Sequence, residues 1–425
     1  MKKFIYSTML SMAILAVSVY SNGLSLNSVG TRAGGMGGAF LGIADDYSAV
    51  YWNPAGVSYI DAPQIAVSYT GLMPSATYKY SLGTQSIVDA QSEAELFSIP
   101  CIAGYVPLIS GTLNAGIGFY VPAGIGVTWN GDDLMKISNN TSYKWHSRIG
   151  VMTLAPTISL KVLNILSIGA AINLSYGTFE LDRPMSQRNP LNLNQYLWGQ
   201  YSETSSGFGF SGTIGALVKL SSDLSFGATY RTANSIAFEG TASHGILIGL
   251  LQANYKDADI SREVTWPTWM GAGIAFKPVP GLTLALDAQY SQWSIMDSVE
   301  TTYKNWEMVG LTKNFMVLKW EDAIQIRFGA EYELLKTVAV RAGFYLDPAP
   351  APDATLNILF PSISYKALTC GASLKLPFIE VEAGLEYLMG TERDNTSSYN
   401  AVEGGMPGLH NNNILAFSIG LVLNL

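Results

Sequence analysis

Apolar and polar residues alternate along this chain with a period of two, in segments joined by connections that are short and long in turn. In 378–388, Ile379, Val381, Ala383, Leu385 and Tyr387 fall on one face and Glu380, Glu382, Gly384 and Glu386 on the other. That period belongs to a strand, whose successive side chains point to opposite faces. It recurs at 224–230, with Leu224, Phe226, Ala228 and Tyr230 against Ser225, Gly227 and Thr229, and at 282–287 and 415–425. At 324–332, Ile324, Ile326, Phe328, Ala330 and Tyr332 oppose Gln325, Arg327, Gly329 and Glu331. Short links lie near 107–112, 162–165, 221–223, 278–281, 334–336 and 376–378, and long polar ones at 83–94, 130–142, 182–206, 241–261, 298–317, 347–362 and 391–412.

A sheet whose hairpins turn tightly at one rim and widely at the other gives this alternation, as in a transmembrane β-barrel with short periplasmic turns and long external loops. A secreted sandwich or solenoid has no reason to alternate in this way. Charge agrees with the barrel: Asp, Glu, Lys and Arg make up 13% of the residues, where a soluble domain carries about 25%. No apolar run after the first 21 residues approaches the roughly 18 that a membrane helix needs. The segments number about fourteen, an even count as closed bacterial barrels have: 64–80, 95–106, 113–127, 143–161, 166–180, 207–220, 223–240, 262–277, 282–295, 320–333, 337–346, 363–375, 379–389 and 413–425. The expected fold is all-β, a 14-stranded antiparallel transmembrane barrel.

Lys2 and Lys3 precede an apolar run at 9–19, and Val19 and Ser21 supply small residues for cleavage before Asn22. Residues 1–21 are therefore expected to be a secretory signal peptide. The formal charge of −8 becomes −10 once the two lysines leave with it. No basic run marks a nucleic-acid partner. Cys101 and Cys370 are too few and too far apart to argue for a disulfide framework or a metal. With three histidines and no serine elbow, neither catalysis nor a cofactor is expected.

Residues 27–58 differ from everything after them. Gly34, Gly35, Gly37 and Gly38 suit tight packing inside another structure better than a free-standing domain. Asp45 or Asp46 can cap a helical turn through Val50, and Asn53 can cap a second one with Pro54 at its first position, followed by Ala55. Residues 22–62 are expected to form a small N-terminal hatch inside the lumen, and 63–425 the barrel.

The run Ala44-Asp45-Asp46, then Val50, then Asn53-Pro54-Ala55 just before the first strand resembles the hatch of the FadL/TodX family of outer-membrane transporters. A second region resembles the C-terminal half of those barrels: Trp320 and Asp322, Arg327 and Gly329, Arg341 and Gly343, and Asp347-Pro348 with Pro350 and Pro352, leading through Pro361 into the next strand. The chain ends in Leu425, whereas such barrels commonly end in an aromatic residue used in assembly. The resemblance implies an integral protein of the bacterial outer membrane, monomeric and surrounded by its lipid. It also implies passive uptake of a hydrophobic small molecule, a long-chain fatty acid or an aromatic hydrocarbon. Some relatives act instead as docking partners in protein secretion, and that alternative stays open.

Three sets of residues are candidates for the path. Pro122 cannot donate to a ladder, so a bulge is expected in the third strand around Pro122, Gly124 and Gly126. It is either a bulge near the rim or, as the resemblance implies, an inward kink that opens the wall sideways. Leu197 and Trp198 in the 182–206 connection, and Ile248, Leu250 and Leu251 in the 241–261 connection, give external loops a greasy side that either packs the mouth closed or captures ligand. Tyr51 and Trp52 beside the Asn53 turn are candidates for the pocket floor. Facing the lumen, Arg327, Glu331, Arg341, Glu380, Glu382 and Glu386 are expected to form a charge network that anchors the hatch.

Overall fold

Alternation at a period of two becomes strand wherever it occurs, and the strands close on themselves. The structure, a computed structural model, describes residues 23–27, 29–83, 86–189, 192–246, 257–306 and 311–425; the expected leader, 1–21, lies outside them. The first strand is Gln64–Ser81, the second is Ile87–Gln91 with Phe97–Ile109, and the third is Leu113–Trp129. The fourth to sixth are Trp145–Leu163, Leu166–Asn189 and Asn192–Lys219. Interrupted strands follow: Leu224–Arg231 with Asn234–His244, Asp257–Trp266 with Trp269–Val279, Leu282–Ser291 with Ser298–Lys304, and Lys313–Val317 with Ala323–Leu335. The last four are Val338–Asp347, Tyr365–Lys375, Ile379–Gly390 and Leu409–Asn424. Neighbours pair antiparallel, and the fourteenth strand pairs with the first from Asn424 opposite Gln64 to Leu409 opposite Lys79, which closes the barrel.

The barrel is inverted relative to a soluble protein. On the thirteenth strand Val381, Leu385 and Tyr387 are exposed while Glu382 and Glu386 are buried. On the sixth, Phe208 and Phe210 are 76% and 77% exposed. Apolar rings so far out are favourable only against hydrocarbon, because burying such a side chain away from water is worth about 2–3 kcal/mol.

The fifth and sixth strands correct one expectation. Within 182–206 the described residues are not loop but the two arms of a long hairpin, paired from Asp182–Ser202 to Arg188–Tyr196. The ladder outlasts the alternation there because above the membrane neither face needs to be apolar, so the sequence loses its period while the backbone keeps its bonds. Leu197 and Trp198 accordingly sit on the sixth strand, opposite Gln187 and Ser186. Ile248, Leu250 and Leu251 fall outside the described residues.

Residues 29–60 fill the lumen toward the short-turn rim. They form three short turns, Thr31–Gly35, Ala49–Trp52 and Pro54–Tyr59, nearly all of them buried. Gly37 and Gly38 have φ of 66° and 67°, a region where a β-carbon is strained. The wall is thinned to receive the segment: a β-carbon at Gly227 would lie 1.7 Å from the Leu41 carbonyl oxygen.

Candidate functional site

The N-terminal segment is held by wall side chains at its polar points. Asn53 accepts a hydrogen bond from the Ala55 N–H at 3.2 Å, capping the turn that Pro54 opens. Its Nδ2 donates at 3.0 Å to the carbonyls of Leu41, in the segment, and of Ala216, in the sixth strand. Asp46, in place of a direct helix cap, accepts from the Ser48 N–H at 2.7 Å, and burial pushes its carboxyl above its usual range. Asp45 pairs with Arg32 at 2.6 Å. Asp287 accepts from both the Phe40 and Leu41 N–H groups, at 2.8 and 2.9 Å. Replacing Asn53 with alanine removes a cap and two side-chain hydrogen bonds to carbonyls, at an expected cost of about 2–3 kcal/mol. Limited proteolysis of the folded barrel should then cut within 29–60, where the parent protein resists.

Most of the expected charge network touches this segment. Arg32 reaches Glu331 through two nitrogens at 2.8 Å, and Arg341 Nε meets the same carboxylate at 2.6 Å, with Glu380 at 3.7 Å from Arg341. Arg327 donates to the Gly37 carbonyl at 2.9 Å. Tyr47 donates to Glu382 at 3.3 Å. Glu386 takes the Tyr345 hydroxyl and lines a cavity above the segment.

That cavity has a volume of about 510 Å³. Leu72, Leu96, Phe97, Ile99, Ile125 and Ile149 line it from the side of the first four strands, together with Ser98 and Arg148. Tyr345, Asp347, Tyr365, Glu386 and Asn412 line it from the eleventh to fourteenth strands, together with Leu388 and Ile414. Gly124 and Gly126 line it from the third strand. Trp52 does not line the cavity; its Nε1 donates to the Val29 carbonyl at 2.8 Å and its ring lies under Arg327. Tyr51 borders a separate space of about 50 Å³, packed edge-on against Tyr120 with Arg231 over its ring at 4.5 Å.

The third strand breaks at its proline. Tyr120 faces Thr153 on the fourth strand, but Ala123 faces Val151, so one extra residue bulges out at Val121–Pro122. On its other side, pairing with the second strand ends at Phe119 opposite Ile102. The freed backbone is taken by the chain's own start. The Leu26 N–H donates to the Pro122 carbonyl at 2.9 Å, the Gly124 N–H donates to the Leu24 carbonyl at 2.8 Å, and Ser25 stands opposite Ala123. Beyond the break the Phe97 ring of the second strand lies beside Gly126, and the Glu93 N–H donates to the Thr128 carbonyl at 2.8 Å. Residues 23–27 therefore lie between the large cavity, which four of them line, and the break in the wall. Sequence reasoning found Pro122 and missed Leu24–Leu26, because strand addition by so short a piece leaves no period to read.

The chain matches the family described as outer membrane protein transport protein (OMPP1/FadL/TodX) over residues 12–419. It is 22% identical over 445 aligned positions to the long-chain fatty acid transport protein of Escherichia coli O6:H1, covering 95% of this chain and 96% of that one. Among solved structures it resembles a FadL homologue from Pseudomonas aeruginosa, with a TM-score of 0.78 at 17% identity, covering 95% of this chain and 99% of the other. It likewise resembles the toluene transporter TodX of P. putida, with a TM-score of 0.75 at 16% identity, covering 94% and 99%.

Proposed function

This chain belongs to the outer membrane protein transport family (OMPP1/FadL/TodX), and from that premise we propose that it carries a hydrophobic small molecule, a fatty acid or an aromatic hydrocarbon, passively into the outer membrane. The observation that carries the proposal is the break between the second and third strands beside a half-apolar cavity. Passage straight down the lumen would take the molecule through the packed N-terminal segment and then into water. Exposing about 200 Å² of apolar surface to water costs on the order of 5 kcal/mol. A side exit avoids that cost by delivering the molecule directly to hydrocarbon. In this reading the N-terminal segment is a hatch, with Leu24–Leu26 as its movable edge.

Two glycines of the kink test the route. A β-carbon at Gly126 would press on the Phe97 ring at 2.6 Å, while one at Gly124, which also lines the cavity, would meet the Ile149 carbonyl at 3.3 Å and the Gly150 Cα at 3.8 Å. Gly124→Leu should therefore fill the exit at the cost of a shift of a few tenths of an ångström at Ile149. Uptake of labelled toluene and of a long-chain fatty acid by cells carrying this variant should fall several-fold, with the barrel still resisting SDS unless heated. Unchanged uptake of both would overturn the lateral route.

A further inference from the structure

The connection after the eleventh strand does not stay outside the barrel. Residues 351–362 fold back into its mouth, where Leu356 and Ile358 are fully buried. Two successive residues of this segment face different spaces: Phe360 lines a cavity of about 520 Å³ at the outer mouth, and Pro361 lines the inner cavity of about 510 Å³. Among the described residues the two cavities share none of their lining. On the first strand Tyr80 belongs to the outer cavity and Leu72 to the inner one, an even number of positions apart and so on the same face. A molecule entering from the mouth therefore meets residues 351–362 before it meets residues 24–26.

The segment is strapped at its neck and held more lightly at its tip. At the neck Arg393 donates to the carbonyls of Ala351 at 2.9 Å and Ser362 at 3.0 Å, and it pairs with Asp353. At the tip the Trp129 Nε1–H donates to the Ile358 carbonyl at 3.0 Å, the Ser147 hydroxyl to the Leu359 carbonyl, and the Met406 N–H to the Leu356 carbonyl at 2.9 Å. These bonds are scattered and form no ladder, and segments held in that way open at a lower free energy than paired strands. At the root, Asp347 ends the eleventh strand and accepts from Asn27 Nδ2 at 2.8 Å and from Gln325 Nε2 at 2.6 Å. Asn27 directly follows Leu24–Leu26, so this carboxylate ties the outer segment to the edge that covers the wall break. We propose that residues 351–362 are a second, outer gate, linked through Asp347 and Asn27 to the edge at 24–26 so that the two barriers open together. Once one of them has given up the bond between Asn27 and Asp347, the other opens without losing it, and such a coupling is reciprocal. The inference rests on the chain being a passage for apolar molecules.

Two measurements test it, and neither needs transport. In a protein whose Cys101 and Cys370 are replaced by alanine, Leu72→Cys and Tyr80→Cys report the inner and outer cavities to a charged methanethiosulfonate added outside intact cells. Such a reagent does not cross lipid, and the packed residues 29–60 close the lumen below. Tyr80→Cys should react about tenfold faster than Leu72→Cys, and Arg393→Gln, which frees the neck, should speed Leu72→Cys about tenfold while leaving Tyr80→Cys unchanged. Equal rates at the two positions, or Leu72→Cys unmoved by Arg393→Gln, would overturn the gate. Should Arg393→Gln fail to fold, Trp129→Phe, which keeps the ring and loses the bond to Ile358, takes its place. The link is read by hydrogen exchange at the Leu359 and Phe360 amides, which both donate to Asn357 at 3.0 Å. Exchange there should quicken about tenfold in Asn27→Ala and not in Asn53→Ala, which loosens the N-terminal segment elsewhere. Unchanged exchange in Asn27→Ala, or equal quickening by both, would overturn the coupling. The two readings fail separately. Slow labelling of Leu72→Cys that Arg393→Gln releases, in a protein that passes no hydrocarbon, overturns the transport reading alone, whereas hydrocarbon passage with equal labelling of both cysteines overturns the gate alone.

Discussion

Glu331→Ala is expected to release the N-terminal segment from the lumen while the barrel stays closed. Glu331 is 6% exposed and holds two guanidiniums, Arg32 from the segment and Arg341 from the neighbouring strand. Arg341 is 1% exposed at its side chain and Arg32 15%, so both lose their main counter-charge away from water. Breaking a buried pair by removing one partner costs about 3–5 kcal/mol, because the surviving charge stays desolvated. Here two survive, although Asp45 and Glu380 soften the loss at 2.6 and 3.7 Å. The cost falls on the docked state of the segment: Arg32 can return to water by leaving the lumen, whereas Arg341 is fixed in the wall. Hydrogen exchange should show residues 31–59 deprotected while the strand ladders remain protected, and conductance across a planar bilayer should rise. Full protection of 31–59 in the variant would show that the glycine-lined fit and the Asn53 and Asp287 bonds suffice without the charges. A double change of Glu331 and Arg341 to neutral residues of similar volume should restore part of the docking, since it removes a stranded charge along with its partner.

The barrel was legible because a membrane imposes one rule on every strand. Ile379, Val381, Leu385 and Tyr387 must face lipid and Glu380, Glu382 and Glu386 must not, and that rule writes a period of two wherever the chain crosses hydrocarbon. Above the membrane the rule lapses, which is why the hairpin through Arg183, Tyr196 and Trp198 reads as a loop although its ladder is continuous. Asn53 was legible for a different reason: it caps a turn that proline opens, and that requirement is local. The cavity was not. Its lining joins Leu72, Phe97, Ile149, Tyr345 and Asn412 from five strands, and no local pattern links them. The pairing of Ser25 with Ala123 was equally hidden, since the sequence marks only that Pro122 leaves its neighbour strand without a donor. The placement of Trp52 under Arg327, away from the cavity, follows from the same long-range packing.

The central claim is that an apolar molecule leaves through the wall beside the third strand and that Leu24–Leu26 must move to let it pass. Ser25 and Ala123 face each other as an isolated antiparallel pair, and opposite residues in such a pair have Cα separations of about 4.5–5.5 Å, within the span of a disulfide. Cysteines at both positions, in a protein whose own Cys101 and Cys370 are replaced by alanine, should therefore form a bond on oxidation and lock the segment to the kinked strand. Uptake of labelled toluene or fatty acid should then fall about tenfold or more, to the level of cells without the protein, if opening is obligatory. Addition of a reductant should restore it. Each single-cysteine protein should transport equally under oxidising and reducing conditions. Transport by the fully cross-linked protein at the reduced rate would contradict the account, because the molecule would then be crossing by a path that leaves residues 24–26 in place.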